Sequence, residues 1–462
     1  MKPLYHGSAV SHLAPMDLTA APAPNQFALL RQRRFAPFFW TQFGGAANDN
    51  LFKFAFTVMV TYRVQAGAAL SPGLMVNLIA ALYILPFVLF SATSGQLADK
   101  LPKDRLMRGV KLLEIGIMAL ALWGFATANL GALLACAFGM GVHSSLFGPA
   151  KYAYLPQHLS AAELTGGNGM TEMGTFVAIL LGSLAGGLLM SLPQGPWLAG
   201  GACLLVALAG WAASRRIPPT PALDPALRVR WNPLRETLCN LRLAAGDPVL
   251  LQALLAISWM WFYGVAFLTQ FPVFAKNVLG GNEQVASLLL VVFSVGVGLG
   301  SVACEWLARG RIEPGLVPLG AVGMSAFGVD LYLSAHLAPA PGPLLGVGAF
   351  LAQPAHWRVM GDLFGLSASA GVYSVPLYAL IQRHTPATHR ARVIAANNIL
   401  NALYMIVCAG YCAALLAAGL TVPQLLLSVA VLNLLASGWL LVRQPMYRSR
   451  LVAWLSRRSE AA

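Results

Sequence analysis

Long apolar runs, separated by short polar or Gly/Pro-marked turns, dominate the pattern of this chain. A helix needs roughly 20 apolar residues to cross a hydrocarbon core about 30 Å thick. Runs of this length lie near residues 36–62, 74–98, 106–128, 131–154, 169–192, 196–214, 248–275, 284–308, 314–336, 360–382, 394–418 and 422–442. The pattern therefore predicts an all-α membrane protein with twelve transmembrane helices. Residues 337–358 are apolar but interrupted by prolines, which predicts an interfacial or re-entrant segment instead of a thirteenth span.

Composition agrees with this pattern. Hydrophobic residues make up 58% of the 462 residues and charged residues 10%, whereas soluble domains carry about 25% charged residues. The segment before Arg31 has no apolar run ahead of a small-residue cleavage site, so the first span itself is expected to direct insertion. The six cysteines form no CxxC pair and lie mostly in apolar runs. They predict packing residues, and neither a metal nor another cofactor is expected.

The net charge of +14 can be interpreted only from the positions of the basic residues relative to the predicted spans. Only Arg63, Lys276 and Arg358 fall in loops on one side of the predicted spans. Nearly all the other basic residues fall on the opposite side. Because cytoplasmic loops are enriched in Lys and Arg, both termini are predicted to be cytoplasmic in a bacterial inner membrane. The charge thus indicates topology and anionic membrane lipid, and no nucleic-acid partner is expected.

A polar interval divides the spans six and six. The predicted organisation is a cytoplasmic tail (1–30), a six-helix bundle (31–214), a cytoplasmic linker (215–247), a second six-helix bundle (248–443) and a basic amphipathic tail (444–462). Asn232-Pro233 predicts the start of a linker helix with leucines on one face. The tail places Tyr447, Leu451 and Trp454 on one face, so both segments are expected to lie on the membrane surface.

The two halves resemble each other in sequence, as a parallel repeat would. GQLADKLPKDR (95–105) matches SVACEWLARGR (301–311), which aligns Asp99 with Glu305 and Arg105 with Arg311. PAKYAYLPQ (from 149) matches PLYALIQRH (from 376), and GNGMTEM (167–173) matches ANNILNA (396–402). The sequence therefore predicts two six-helix pseudo-repeats.

The first of these repeated segments resembles the signature loop of the major facilitator superfamily. A small residue permits close helix approach, and an acid and a base at helix ends can latch one arrangement of the halves and release another. The predicted gating residues are Gly95, Asp99, Arg105, Glu305 and Arg311. A solvated charge cluster that follows the positive-inside rule is the alternative.

Ionisable residues inside spans predict function, because a charge near the bilayer centre costs at least about 2.5–3.5 kcal/mol unless it is paired or faces water. The candidates are Asp49, Lys53, Glu114, Lys151, Glu172 and Asp330. Asp49 and Lys53 stand one turn apart and can neutralise each other; Glu114 can pair with Lys111. Glu172 can contact a ligand or pair with Lys151.

Two further features bear on Lys151 and Glu172. Gly148-Pro149 is expected to break the fourth helix, which would free backbone groups beside Lys151 and suit a phosphate. Glu172 aligns with the neutral Asn401 of the second half, so its carboxylate is not part of the shared scaffold. His143 can relay protons or simply pack.

FFWTQFGGAANDNLFKFAF (38–56), FGPAKYAYLPQ (147–157) and NGMTEMGTFVAILLGSLAGG (168–187) resemble the bacterial lysophospholipid transporter family of the major facilitator superfamily. YSVPLYALIQR (373–383) is most similar to transporter modules that are fused to acyltransferase and acyl-ACP synthetase domains. The resemblance implies flipping of lysophosphatidylethanolamine from the outer to the inner leaflet for reacylation. It also implies functional roles for Asp49, Lys151 and Glu172.

A substrate-binding set follows from the resemblance and the charge argument together: Asn48, Asp49, Asn50, Lys151, Asn168 and Glu172. Lys151 is expected to bind the phosphate and Asp49 or Glu172 the ammonium. The chain has no HxxxxD acyltransferase motif, so no enzymatic activity is expected, and acylation is assigned to an enzyme on a separate chain. The alternatives are a proton-coupled drug or metabolite exporter and a membrane scaffold for acylation enzymes.

Overall fold

The computed structural model describes residues 25–62, 72–335 and 343–459, which form helices joined by short connections. The first half contains α1 (Ala36–Tyr62), α2 (Pro72–Lys100), α3 (Lys103–Ala126), α4 (Leu130–His158), α5 (Leu164–Ser191) and α6 (Gly195–Ser214). The linker contains α7 (Pro233–Ala245). The second half contains α8 (Pro248–Asn277), α9 (Glu283–Ala308), α10 (Leu316–Ser334), α11 (Val347–Leu351), α12 (Pro354–His384), α13 (Arg390–Ala417) and α14 (Val422–Arg443), and α15 (Pro445–Ser459) follows.

The count of membrane helices agrees with the sequence pattern. Eleven described helices are long and apolar enough to cross a membrane. The 27-residue α1, which carries Asp49 and Lys53, also has the length for a crossing. The all-helical fold with twelve spans in two halves is therefore confirmed.

Short polar residues set the helix starts that the sequence marks. The Asp247 side chain accepts hydrogen bonds from Val249 N and Leu250 N at the start of α8. The Thr421 and Gln424 side chains form a reciprocal capping box at the start of α14. Such caps satisfy backbone N–H groups that have no partner inside the helix.

The expectation that Gly148-Pro149 breaks the fourth helix is wrong. Pro149 lies inside the continuous α4, as Pro86 does inside α2. A proline removes one backbone hydrogen bond, but neighbouring helices support the helix on both sides in a packed bundle. The lysine after Pro149 is therefore presented from helical backbone.

The linker and the C-terminal tail form helices where the sequence predicts them. Asn232 caps α7, with its side chain accepting from Arg235 N, and the Leu234 side chain is exposed. On α15, Tyr447 is buried and Trp454 Nε1 donates to Leu307 O at 3.0 Å. The tail helix thus packs against the end of α9 in addition to presenting an exposed side.

Both described chain ends lie on one face of the bundle. Gln26 Nε2, from a 3-10 helix (Gln26–Arg31), donates to Val302 O near the end of α9. Asp224 N, in the linker, donates to Asp99 O at the end of α2. We call this the linker face, and we call the side where α1 ends and α2 begins the opposite face.

The proline-rich interval 337–358 does not form a thirteenth crossing in its described part. It contains the five-residue α11 and the first turn of α12. Leu345 exchanges backbone hydrogen bonds with Gly280 and Asn282, between α8 and α9. The segment therefore lies at the opposite face, while residues 336–342 are outside the described ranges.

Glycines let the bundle helices approach closely, as their runs in the sequence indicate. A Cβ on Gly182 of α5 would lie 2.2 Å from Ala47 O on α1. A Cβ on Gly300 of α9 would lie 2.0 Å from Ala368 O on α12. Such close packing helps to hold membrane helices together, because lipid supplies little hydrophobic drive for their association.

Candidate functional site

The outermost connection between the halves is made by Asp99 at the end of α2. Its carboxylate is fully buried and accepts from Ala391 N at 3.1 Å and from Arg392 N at 3.3 Å, at the start of α13. Arg392 Nε adds a bond of 3.1 Å. A carboxylate at a helix N-terminus is stabilised by the helix dipole and by the free N–H groups. The first half thus caps a helix of the second.

Glu305 repeats this arrangement in the reverse direction. Its carboxylate lies near the end of α9 and packs against Gly166 at the start of α5, where a Cβ would lie 3.3 Å from Glu305 Cδ. Thr165 Oγ1 donates to Arg311 O at 2.9 Å beside it. Each copy of the repeated loop therefore closes onto the other half at the linker face.

The predicted bases of these loops do not serve as the ionic partners of the acids. Arg105 is exposed, and Arg392 takes the place beside Asp99 that the sequence assigned to Arg105. Arg311 contributes its backbone carbonyl. Gly95 has the predicted packing role, since a Cβ there would lie 2.7 Å from Ala395 Cβ.

A second layer lies deeper in the bundle. Asn168 on α5 and Gln382 on α12 exchange side-chain hydrogen bonds of 2.7 Å and 3.0 Å. Gln382 Nε2 also donates to Tyr152 O on α4 at 3.0 Å. Both amide side chains are buried. Asn168, predicted as a ligand residue, is thus engaged between the halves.

The third layer is aromatic. The rings of Tyr152 on α4 and Tyr378 on α12 are stacked, with centroids 4.3 Å apart and an interplanar angle of 4°. The Tyr152 hydroxyl donates to Glu172 on α5. Glu172, only 2% exposed, is therefore connected through Tyr152 to a ring of the second half.

Lys151 lies next to this aromatic layer. Its Nζ donates to Thr175 Oγ1 at 2.8 Å and lies 5.0 Å from the centroid of the Tyr152 ring. Thr175 lies three residues, or about one turn, after Glu172 on α5. Lys151 of α4 therefore contacts α5 about one turn away from the Glu172 carboxylate. Each bonds a neutral hydroxyl in place of a direct ion pair with the other. Lys151 as a whole is half-buried.

Asp49, on α1, faces a part of α4 that is farther from Lys151. Ser144 Oγ on α4 donates to Asp49 Oδ2 at 2.7 Å. Seven residues separate Ser144 from Lys151, which is two turns or about 10 Å along α4. The Asp49–Lys53 ion pair, which the sequence left open as an alternative, does not form in the described structure; Lys53 is exposed, with Nζ 5.8 Å from the Tyr83 ring centroid.

A separate buried polar cluster lies inside the first half. Lys111 and Glu114 form an ion pair with fully buried side chains, as the sequence predicted. His143 Nε2 is 3.2 Å from Glu114 Oε2, and Asn48 Nδ2 donates to Glu114 Oε1 at 2.7 Å. Asn50 Nδ2 bonds Ala46 O on its own helix. Asn48 and Asn50 are therefore not brought together with Lys151.

Two ion pairs outside these layers involve residues near the ends of helices. Asp330, a candidate without a partner in the sequence, pairs with Arg358. Arg34 Nη2 lies 2.5 Å from Glu163 Oε1, between the starts of α1 and α5. Burial would raise the pKa of Glu163, but the hydrogen bonds from Arg34 and Ser160 outweigh it and hold that pKa below its ordinary value. These pairs secure helix ends.

Sequence reasoning missed several residues that bond the predicted site residues. Tyr152 adjoins Lys151, and Thr175 stands one turn from Glu172, so both lie where a search around the charges would find them. Gln382 and Arg392 carry no local signal, because their partners are more than 200 residues away. The described residues contain no cluster of His, Cys, Asp and Glu that could hold a metal ion.

Comparison with known proteins places the chain in a family. Residues 38–409 match the model of the Major Facilitator Superfamily. The lysophospholipid transporter LplT of Serratia proteamaculans (strain 568) is 30% identical over 363 residues, which cover 78% of this chain and 82% of that protein. LplT of Klebsiella pneumoniae subsp. pneumoniae is 29% identical over 328 residues, which cover 69% of this chain and 74% of that protein.

Solved structures support the same fold. A crystal structure of the transporter FucP in the outward conformation matches with a TM-score of 0.66 at 14% identity, over 89% of this chain and 98% of that one. A bacterial homologue of the iron transporter ferroportin in an outward-facing state matches with a TM-score of 0.63 at 16% identity, over 91% of this chain and 99% of that one. The chain belongs to the Major Facilitator Superfamily and, within it, to the lysophospholipid transporter family.

Proposed function

We propose that this protein transports lysophospholipids across the bacterial inner membrane, from the outer to the inner leaflet. The single observation that carries the proposal is the position of Lys151 and Glu172. A cation and a carboxylate lie on neighbouring turns of α4 and α5, directly beside the ring stack that joins the halves. Membership of the lysophospholipid transporter family supplies the substrate class.

The two charges suit a zwitterionic head group such as phosphoethanolamine. Lys151 binds the phosphate and keeps Thr175 as a neighbour, while Glu172 binds the ammonium. Asp49 is about two helical turns from Lys151, farther than the two-carbon ethanolamine link reaches. Asp49 and the exposed Lys53 then act earlier on the path, where a head group enters from the opposite face.

Substrate binding is coupled to the gate through Tyr152. An ammonium at Glu172 competes with the Tyr152 hydroxyl for the carboxylate and removes the bond that orients the ring. The stack against Tyr378 then weakens, and the amide and acid layers below it can separate. Substrate thus favours opening of the linker face.

The linker face is the cytoplasmic side in this proposal, and the described arrangement is closed to the cytoplasm. The Asp99, Glu305, Asn168 and Tyr152 contacts all lie in the parts of their helices nearest the linker face. The positive-inside distribution supports this orientation. Released lysophospholipid is then available to an acyltransferase on a separate chain.

The test is protection of lysophosphatidylethanolamine in proteoliposomes from extraction by albumin. Wild-type protein is expected to move labelled lipid into the protected leaflet faster than empty liposomes do. Lys151→Ala and Glu172→Gln are expected to lower the initial rate at least tenfold, because each leaves one head-group charge unpaired. Lys151→Arg keeps the charge and should retain more activity than Lys151→Ala.

Arg235→Ala is the matched control, since Arg235 is an exposed cation on α7, outside the head-group site and the predicted gating residues. Its rate should stay within about twofold of the wild type. Equal protection in protein-containing and empty liposomes would refute lysophospholipid transport. A rate that follows an imposed pH gradient, with outward movement of a cationic drug, would instead support the proton-coupled exporter.

A further inference from the structure

A lateral crevice in the second half lies apart from the head-group site. It has a volume of about 280 Å³ and lies between α8, α12, α13 and α14. Its walls are mainly aromatic and aliphatic. The residues that define it are Gln252, Trp259, Tyr373, Tyr404, Ala436 and Trp439. Trp439 is 47% exposed on the outer surface of α14, beside the more exposed Leu435, so the crevice borders the surface that meets lipid.

The depth of the crevice corresponds to one leaflet. Gln252 is four residues from the linker-face end of α8, or about 6 Å along the helix. Tyr404 is 14 residues from the linker-face end of α13, or about 21 Å. The crevice therefore extends about 15 Å in depth, half of a hydrocarbon core about 30 Å thick. Its polar end is near the linker face and its aromatic end near the midplane.

Gln252 has an unsatisfied acceptor at the polar end. The residue is only 7% exposed, and its Oε1 is without a hydrogen-bond partner in the described part of the chain. Two other polar groups of the wall are engaged: Trp259 Nε1 donates to Asn433 Oδ1, and the Tyr373 hydroxyl donates to Ala256 O. A buried acceptor without a donor is costly, and a ligand that brings a donor removes this cost.

We propose that this crevice binds a lysophospholipid of the linker-face leaflet, with its single acyl chain among the aromatic residues and its glycerol hydroxyl donating to Gln252 Oε1. The volume is at the low end for ligand pockets. A crevice of this volume accommodates part of one acyl chain. A lysophospholipid has a free glycerol hydroxyl, whereas the ester oxygens of a diacyl phospholipid only accept. Gln252 thus distinguishes the two lipid classes. The lipid class rests on the proposed function, and the crevice is the site it occupies after translocation.

The experiment is photolabelling of the full-length protein in nanodiscs with lysophosphatidylethanolamine that carries a diazirine on its acyl chain. Adducts are expected on peptides that contain Tyr404 and Tyr373. Unlabelled lysophosphatidylethanolamine should compete, and diacyl phosphatidylethanolamine at the same concentration should not. Gln252→Leu should weaken labelling about fivefold, because one hydrogen bond to the lipid is lost. Gln252→Glu keeps a hydrogen-bond acceptor at this position and should retain labelling.

Ala436→Trp fills the crevice and should abolish the adducts, whereas Leu435→Trp on the adjacent outer surface should not. Equal competition by diacyl lipid, or labelling that survives Ala436→Trp, would overturn the proposal and identify ordinary annular lipid. Labelling does not require translocation, so Lys151→Ala should retain it while losing transport. Labelling without wild-type transport would refute the proposed function alone, and transport without crevice adducts would refute this site alone.

Discussion

The two charges of the candidate head-group site each take a neutral partner from a neighbouring helix. Glu172 bonds the Tyr152 hydroxyl and Lys151 bonds Thr175, although the two charges occupy neighbouring turns. Lys111 and Glu114, by contrast, share one helix and pair directly. A charge held by a neutral partner can exchange it for a ligand, whereas a buried ion pair is costly to open. This difference separates a site from scaffold at the level of single residues.

The buried pair yields a prediction about stability. Lys111→Met leaves the Glu114 charge with only His143 and Asn48 and should destabilise the fold by about 3–5 kcal/mol. The double variant Lys111→Met, Glu114→Gln should recover much of this loss, because no uncompensated charge remains. Thermal unfolding in detergent measures both. A double variant that is destabilised by the sum of the single effects would contradict the pairing.

Whole helices meet across the halves through a repeated device. The acid that ends α2 caps α13, and the acid near the end of α9 packs against the start of α5. The small residue before each acid permits the crossing, as Gly95 does against Ala395. Because the same contact occurs twice, opening the linker face has to release both ends of the interface.

Gly95→Ala should therefore weaken the closed linker face. The added methyl group would lie 2.7 Å from Ala395 Cβ and 2.8 Å from Arg392 Cα, so α2 and α13 must move apart. Spin labels at the exposed positions Arg105 and Arg383 should report a larger population at long distance. Gly109→Ala, at a glycine with no atom within 4 Å of a Cβ, should leave the distribution unchanged. Identical distributions for both variants would argue against the latch.

At the scale of the whole molecule, the linker, the tail helix and both loop latches share one face. Cys239 on α7 is exposed, and the other five cysteines are buried. This distribution makes the native chain suitable for a test of orientation.

A membrane-impermeant maleimide should label Cys239 in inside-out vesicles and not in intact spheroplasts, if the linker face is cytoplasmic. Cys239→Ser should remove the signal and is the control for the buried thiols. Labelling of intact spheroplasts would reverse the proposed topology and, with it, the direction of transport.

The sequence alone determined the helices and their division into halves. Apolar length identifies a span, Asn232-Pro233 marks a helix start, and the repeated loops mark the ends of α2 and α9. These signals are local, because a membrane helix satisfies its backbone hydrogen bonds within its own segment. The intramembrane charges were also visible, because each is costly in lipid.

Only the tertiary structure decided which groups these residues meet. Asp99 bonds Arg392 across 293 residues, and Asn168 bonds Gln382 across 214. Proximity in sequence suggested Arg105 as the base for Asp99 and Lys53 as an alternative partner for Asp49, and neither ion pair is present in the described structure. Partners across a bundle depend on how the helices rotate and cross, which close packing sets and no local pattern encodes.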